Sequence, residues 1–200
     1  MTLPPPPAPG AAPRGEAPPA DDVLVGRARG GDRRAAHALV ERYEGRVAAT
    51  VVGMLGPGPE AEDVGQEVFV RFFGALDHFR GDAAVGTYLT RIAINQSLKA
   101  LKKRQGFLRR FVRPADPNTF DAPDPDATPD HTLDARERAA LVHRALDRLS
   151  PAHRAVVVLR MLDGQSTRET AAALGVPEGT VMSRLARALH ELEGPLSLLR

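Results

Sequence analysis

Four side chains near the C-terminus, Thr180, Ser183, Arg184 and Arg187, combine two hydroxyls with two guanidinium groups. Both kinds of group hydrogen-bond phosphate oxygens, and an arginine can also present two parallel donors to a base edge. Arg184 and Arg187 are three residues apart, so they share one face of a helix, with Ser183 beside them. A second polar group lies near the middle of the chain: Arg91, Asn95, Gln96, Lys99, Lys102, Lys103 and Arg104, continued by Arg109, Arg110 and Arg113. Basic and amide side chains on one helix suit phosphate contacts, with a few groups left to meet bases. A third group, Glu62, Asp63, Gln66 and Glu67, is acidic. By spacing alone it is a solvated helix face.

Reaction chemistry has no comparable foothold. The six histidines are scattered without an HExxH pattern, no glycine-rich loop ends in GK[ST], and GxSxG is missing. The chain has no cysteine, which excludes disulfides, thiolate metal sites and cysteine nucleophiles and fits a reducing, cytoplasmic setting. The expectation is a protein without catalytic residues, metal or cofactor. No apolar run reaches the length of a membrane span, and the first residues lack the basic-then-apolar order of a signal peptide.

The elements that must position these groups are helical. Ser166 caps a helix with Glu169 at capping-box spacing, and Ala171, Ala172 and Leu174 give that helix a small apolar inner face. Gly175 makes the turn, Val176 plugs it, and Pro177 falls in the first turn of the next helix. Val181 and Leu185 point back to the first helix, which leaves the hydroxyls and arginines outward. This is the pattern of a helix-turn-helix with a recognition helix.

Upstream, Asp21 and Asp22 open a short helix, and Asp32 caps a longer one with Ala36, Leu39, Val40, Tyr43, Val47, Val51 and Leu55 at helical spacing. A third helix starts near Glu60, with an inner stripe of Ala61, Val64, Val68, Phe72 and Leu76. The loop 77–86 carries two glycines, and a basic helix runs from Thr87 to Gln105 with Tyr88, Leu89, Ile92 and Leu101 inward. Residues 1–20 are proline-rich and read as a disordered tail; residues 106–132, rich in proline and aspartate, read as a linker. A second helical domain spans 133–194, with Ser150-Pro151 opening one of its helices, and 195–200 form a tail. With 42% hydrophobic residues, 4% aromatics and no tryptophan, its 200 residues support an all-α, two-domain chain with a core of alanine, valine and leucine.

The order of these parts resembles a known family. AEDVGQEVFVRFFGALDHFRGDAAVGTYLTRIAINQSLKAL is similar to the second conserved region of bacterial sigma factors, and LDRLSPAHRAVVVLRMLDGQSTRETAAALGVPEGTVMSRLARALHEL to the fourth. Two such domains with only a short linker between them resemble the extracytoplasmic-function (ECF) group. The resemblance assigns region 2 to residues 21–105 and region 4 to 133–194. It implies binding to core RNA polymerase, recognition of the minus-35 and minus-10 promoter elements, promoter melting, and an anti-sigma factor that holds the protein inactive. Asp63, Gln66 and Glu67 would then dock on the polymerase, overturning the solvated-face reading. Phe79 and Arg80 in the loop, with Thr87, Tyr88, Arg91, Asn95 and Lys99, would hold the minus-10 element with its bases flipped out. Gly179 and Thr180 would hold phosphate in the minus-35 element, beside Ser183, Arg184 and Arg187.

Some positions depart from the family pattern. Tyr88 stands where tryptophan is usual, Gly65 interrupts the polymerase-facing helix, and Met182 and Ala186 replace residues that are often basic or bulkier. The rival readings are a stand-alone helix-turn-helix regulator, a DNA-modifying enzyme such as a recombinase, and an adaptor that binds polymerase without initiating. The acidic helix and the loop followed by a basic helix argue against the first, and the second lacks a catalytic serine or tyrosine set among arginines.

Overall fold

In the computed structural model, residues 19–81, 83–111 and 135–196 are described. The helices are α1 (Asp21–Arg29), α2 (Arg33–Leu55), α3 (Pro59–Gly74), α4 (Val85–Phe111), α5 (Ala135–Arg148), α6 (Pro151–Val157), α7 (Thr167–Leu174) and α8 (Glu178–Leu196). A 3₁₀ turn at Leu76–His78 follows α3, and a π turn at Val158–Leu162 extends α6. No strand occurs among the described residues, in keeping with the all-α expectation. Most of the expected proline-rich tail, the 112–132 part of the linker and the last four residues lie outside the described residues.

Two helix ends differ from expectation. α4 continues six residues beyond Gln105, through Phe111. A single glycine, Gly106, costs a helix only about 1 kcal/mol relative to alanine, and the first strong stop is Pro114, which also disfavours helix at the residue before it. α8 likewise runs past Gly194 to Leu196, with Leu192 buried against Ala145 and Leu146 of α5. The small residues facing inward from α7 are Ala171, as expected, and Ala173 in place of Ala172, which is exposed; on α2 Ala35 is buried and Ala36 only half-buried. The other inner-face positions agree with the periodicity: Leu39, Val47, Val51, Leu55 and Ala171 are buried, and Val40, Tyr43 and Leu174 half-buried.

Local signals account for the remaining boundaries. The Asp32 carboxylate accepts from the backbone N–H groups of Arg34 and Ala35 and starts α2. Ser150 accepts from His153 N ahead of Pro151. Ser166 and Glu169 form the reciprocal capping box: Glu169 N donates to Ser166 Oγ at 3.2 Å, and Ser166 N to Glu169 Oε2 at 2.8 Å. Gly175 closes α7 at φ 64°, a left-handed conformation that a Cβ disfavours. At the other end of the chain, Asp21 ties α1 to α2. It accepts from Arg42 Nη1 at 2.5 Å and from the Tyr43 hydroxyl. Burial, then the hydrogen bond and charge of Asp21, pushes the Tyr43 phenol up to about 12, so it stays a neutral donor at physiological pH.

The largest core lies among α1 to α4. Leu24, Leu39, Val51, Met54, Val68, Phe72, Leu89 and Ile94 are buried together there. α5, α6 and α8 share a second core of Ala145, Leu146, Leu149, Val157, Ala188 and Leu192, and Val156, Ala171 and Val181 form a third between α6, α7 and α8. Val176 and Leu185 pack on the third core, as the helix-turn-helix pattern requires.

The C-terminal helices also dock on the N-terminal ones. Ala155, Val158, Leu159 and Ala173 belong to the first core. Thr50 Oγ1 donates to Asp163 Oδ2 at 2.5 Å, and the buried Arg154 donates through Nη1 to the Met54 carbonyl at 2.8 Å and to Asp147 at 2.9 Å. Burial raises the Asp163 carboxyl above its ordinary value against the opposing pull of the Thr50 bond, and burial lowers Arg154 despite Asp147.

Ser166→Ala removes one half of the capping box and is expected to cost about 1 kcal/mol, measured by urea denaturation. Hydrogen bonds from Ser166 hold the Glu169 carboxyl below its ordinary value. The contribution of that carboxylate is therefore present above its unfolded-state pKa and is lost as pH falls through the depressed folded value. The protection factors of amides at the start of α7, which are normalised for the intrinsic slowing of exchange in acid, should fall on acidification in the wild type and much less in Ser166→Ala; an equal fall in both would contradict this.

Candidate nucleic-acid interface

The three polar groups lie on three helices, and those on α3 and α4 adjoin. On α3, Asp63 and Gln66 are exposed, while Glu67 is half-buried and paired with Arg71 at 2.7 Å. The helix is fixed by its opposite side, where Ala61, Val68 and Phe72 are buried. Beside this face an open groove of ≈ 440 Å³ runs between α2 and α3, lined by Val47, Val52, Ala61, Phe69, Gly65 and Gln66 among others. A Cβ at Gly65 would meet nothing within 4 Å, so packing inside the chain gives no reason for this helix-weakening glycine.

On α4, Thr87, Arg91, Asn95 and Lys99 recur every four residues and form one stripe, exposed at its last three positions. Their helix is anchored by Val85, Leu89, Ala93, Ile94 and Leu101, all buried. Tyr88 is half-buried. Its ring centroid lies 5.2 Å from Phe79 and 6.2 Å from Phe72, and Phe79 lies 6.2 Å from Phe72. The aromatic group ties the loop after α3 to the start of α4 and leaves part of each outer ring uncovered. Arg80 is exposed, and Gly81 takes φ 78°. A shallow cleft of ≈ 550 Å³ between α3 and α4 is lined by Glu67, Tyr88 and Asn95 together. Residues singled out from two different helices thus meet along one edge.

The loop has a fastener that sequence reasoning missed. Arg29 at the end of α1 donates to the Leu76 carbonyl at 2.9 and 3.2 Å and to the Phe79 carbonyl at 2.7 Å. Both acceptors are backbone atoms, so no side-chain pattern signals the contact. Asp21, Arg29, Phe79 and Arg80 line a cavity of ≈ 410 Å³ between α1 and this loop.

On α8, Gly179, Ser183 and Arg187 are exposed, and Thr180 and Arg184 half-buried. Val181 is fully buried and sets the rotation of the helix. Ser183 Oγ donates to the Thr180 carbonyl at 3.1 Å. Neither Arg184 nor Arg187 forms an ion pair among the described residues, so both guanidinium groups are available to a ligand. Met182 is exposed and touches Thr167 Oγ1 through its sulfur at 3.7 Å, which spends its length on α7 rather than on the outward face. No group of acidic or histidine side chains suited to a metal ion occurs among the described residues.

Comparison with known proteins places both halves in one family. Sigma-70 region 2 matches residues 39–107, and Sigma-70, region 4, matches residues 133–192. The chain is 35% identical over 187 residues to the ECF RNA polymerase sigma-E factor of Escherichia coli K12, covering 90% of this chain and 95% of that protein. It is 34% identical over 189 residues to the RNA polymerase sigma-H factor of Pseudomonas aeruginosa, again with 90% and 95% covered. Among solved structures it resembles CnrH in complex with the cytosolic domain of CnrY, with a TM-score of 0.66, 29% identity, and 89% and 97% of the two chains covered. The two matched regions in family order, together with 35% identity to an ECF sigma factor over nearly the whole of both chains, make this chain a member of the ECF group of sigma-70 factors, the transcription initiation factors that bind core RNA polymerase and direct it to promoters.

Proposed function

We propose that each of the three surfaces performs one step of initiation. Asp63, Gln66 and Glu67 on α3 bind the polymerase core. The stripe Thr87, Arg91, Asn95 and Lys99, with Phe79, Arg80 and Tyr88, holds the melted minus-10 strand. Gly179, Thr180, Ser183, Arg184 and Arg187 on α8 read the minus-35 duplex. The observation that carries this reading is an exposed acidic face on α3 together with two basic or hydroxyl faces on α4 and α8, each on a helix whose other side is buried. A stand-alone regulator has no use for the first of these.

The half-buried aromatic cluster suits the minus-10 role. Flipping a base costs a few kcal/mol of stacking, and an aromatic edge at the strand can return about 1–3 kcal/mol of it. Arg91 and Lys99 neutralise backbone phosphates alongside. The protein acts through binding and strand separation rather than bond-making chemistry, and it works where polymerase works, in the cytoplasm. No described helix is long and apolar enough to cross a membrane. CnrH is recorded in complex with the cytosolic domain of CnrY, and an anti-sigma factor of comparable kind is the partner we assign to the resting protein.

Replacing Asp63 and Glu67 by lysine should weaken binding to purified core polymerase by tenfold or more at moderate salt, with the melting temperature nearly unchanged because Asp63 is exposed and Glu67 only half-buried. Unaltered core affinity would remove α3 from the polymerase interface.

Arg187 is exposed and Arg184 half-buried, so Arg187 is the better placed to read a base, and Arg184 is assigned to phosphate. Arg187→Ala should flatten the preference among minus-35 variants by about 1–3 kcal/mol at the contacted position, whereas Arg184→Ala should weaken all variants alike and reduce the salt dependence. Binding across a library of upstream elements measures both. An unchanged ranking in Arg187→Ala would contradict base readout by that residue.

A further inference from the structure

The loop between α3 and α4 is fixed by apolar burial only at its ends. Leu76 and Val85 are buried, whereas the described residues between them are exposed, except for the half-buried Phe79. Side-chain packing does not hold the loop against α1 either, because the cavity of ≈ 410 Å³ lies between them. One guanidinium group crosses that gap. Arg29 Nε and Nη2 donate to the Leu76 carbonyl at 3.2 and 2.9 Å, and Nη2 donates also to the Phe79 carbonyl at 2.7 Å. Among the described residues, no other hydrogen bond reaches residues 76–81 from α1, α2 or α4.

The two acceptors are suited to this donor. They lie three residues apart at the end of a 3₁₀ turn, where carbonyls carry partial negative charge and favour a cation. A planar fork holds two acceptors at a set spacing, which a flexible ammonium does not. The Leu76 carbonyl also accepts from Phe79 N at 3.2 Å, so the turn is held from inside and from outside. The Phe79 carbonyl stands where ψ is 109°, immediately before Arg80 and the left-handed Gly81. Fixing that carbonyl fixes the direction in which the chain leaves for Arg80.

Two plainer roles compete. Arg29 is not needed to dock α1, which buries Leu24 and Val25 and is tied to α2 through Asp21 with Arg42 and Tyr43. A purely electrostatic role is the stronger rival, because Arg29 is exposed and its Nη1 forms no bond among the described residues. Fork geometry separates the two, since charge alone would leave the bridge without a purpose.

We propose that Arg29 is a positioning residue for minus-10 selection: by bridging the Leu76 and Phe79 carbonyls it holds the loop, before DNA arrives, in the shape that sets Phe79 against Tyr88 and leaves Arg80 exposed. This rests on the assignment of Phe79, Arg80 and Tyr88 to the minus-10 strand made above. A loop free to change shape loses conformational entropy on binding, which weakens the best element. It also adjusts to unfavourable bases, which narrows the difference between elements. Arg29 thus acts on discrimination through the loop, without itself touching a base.

Arg29→Lys keeps the charge, but its ammonium lies one atom nearer the main chain than Nη2 and has no planar fork, so it does not bridge the two carbonyls. Arg29→Gln removes the charge as well. Each is assayed with purified core polymerase on a pool of promoters that share one minus-35 element and differ only at minus 10. Both variants should compress the transcript ratio between the best and the poorer minus-10 elements by about three- to tenfold, the size of effect one hydrogen bond has. A ratio within one preparation does not depend on how much of the protein is folded, so lost stability does not mimic the result. In the free proteins, nuclear Overhauser contacts between the Phe79 and Tyr88 rings, whose centroids lie 5.2 Å apart, should weaken in both variants. Core affinity and the ranking among minus-35 variants should match the wild type. Wild-type ratios in Arg29→Lys would overturn the proposal in favour of charge alone. Uniform loss across the pool with the ratios kept would overturn it in favour of a merely structural role, and so would unchanged ring contacts in both variants. If Phe79→Ala and Tyr88→Ala leave the minus-10 ratios unaltered, the premise about the loop fails instead, and it does so in proteins that retain Arg29.

Discussion

α2 is constrained on nearly every side. It packs against α1, α3 and α4, and also receives the π turn and α6. Leu39, Val51 and Met54 are fully buried, and so are Thr50 and Gly53. A helix surrounded in this way cannot carry charged side chains at its C-terminal end. It uses a hydroxyl and a glycine where neighbours approach most closely. The acidic face of α3 and the basic stripe of α4 both inherit their orientation from this helix, because each turns its buried side toward it.

The surfaces obtained are chemically distinct. α3 turns its carboxylates out because Val68 and Phe72 must turn in. α4 is rotated by Leu89, Ala93 and Ile94, which leaves Arg91, Asn95 and Lys99 outward, and the Phe79–Tyr88 contact brings the loop to the start of that stripe. On α8 the fully buried Val181 and Ala188, together with the capped and glycine-terminated α7, leave Ser183 and Arg187 exposed. In each case ordinary apolar burial fixes the rotation of a helix, and the polar chemistry follows from it. Arg29 adds a different kind of control by fastening two loop carbonyls from outside the helix that the loop precedes.

Much of this was legible in the amino-acid order because the relevant signals are local. Ser166 with Glu169, Gly175, Ser150-Pro151 and the four-residue recurrence on α4 depend on neighbours within one or two turns, and the structure has each where its spacing puts it. The misplacement of Ala172 reflects how little distinguishes one alanine from the next in a run of three, of which the outer two are buried. What could not be read were contacts between distant segments that involve backbone atoms or small residues. Arg29 bonds carbonyls some fifty positions away, Arg154 bonds the Met54 carbonyl across 100 positions, and Gly53 owes its place to Val158. The π turn was hidden for a related reason. Its extra residue per turn leaves apolar side chains in VVVLRML inward at Val158 and Leu159 and outward at Met161 and Leu162, a pattern that an ordinary helix end would also allow.

The central claim is that one protein molecule presents two nucleic-acid faces to two separated promoter elements. A single chemical footprint tests it most directly. An iron chelate attached at Ser183→Cys or at Asn95→Cys, in a protein otherwise free of cysteine, generates hydroxyl radicals that cut nearby DNA. In complexes with core polymerase on one promoter, the account predicts cuts near minus 35 from position 183 and near minus 10 from position 95, about 25 base pairs apart. Cleavage at a common locus from both positions, or cleavage from position 183 alone, would contradict it.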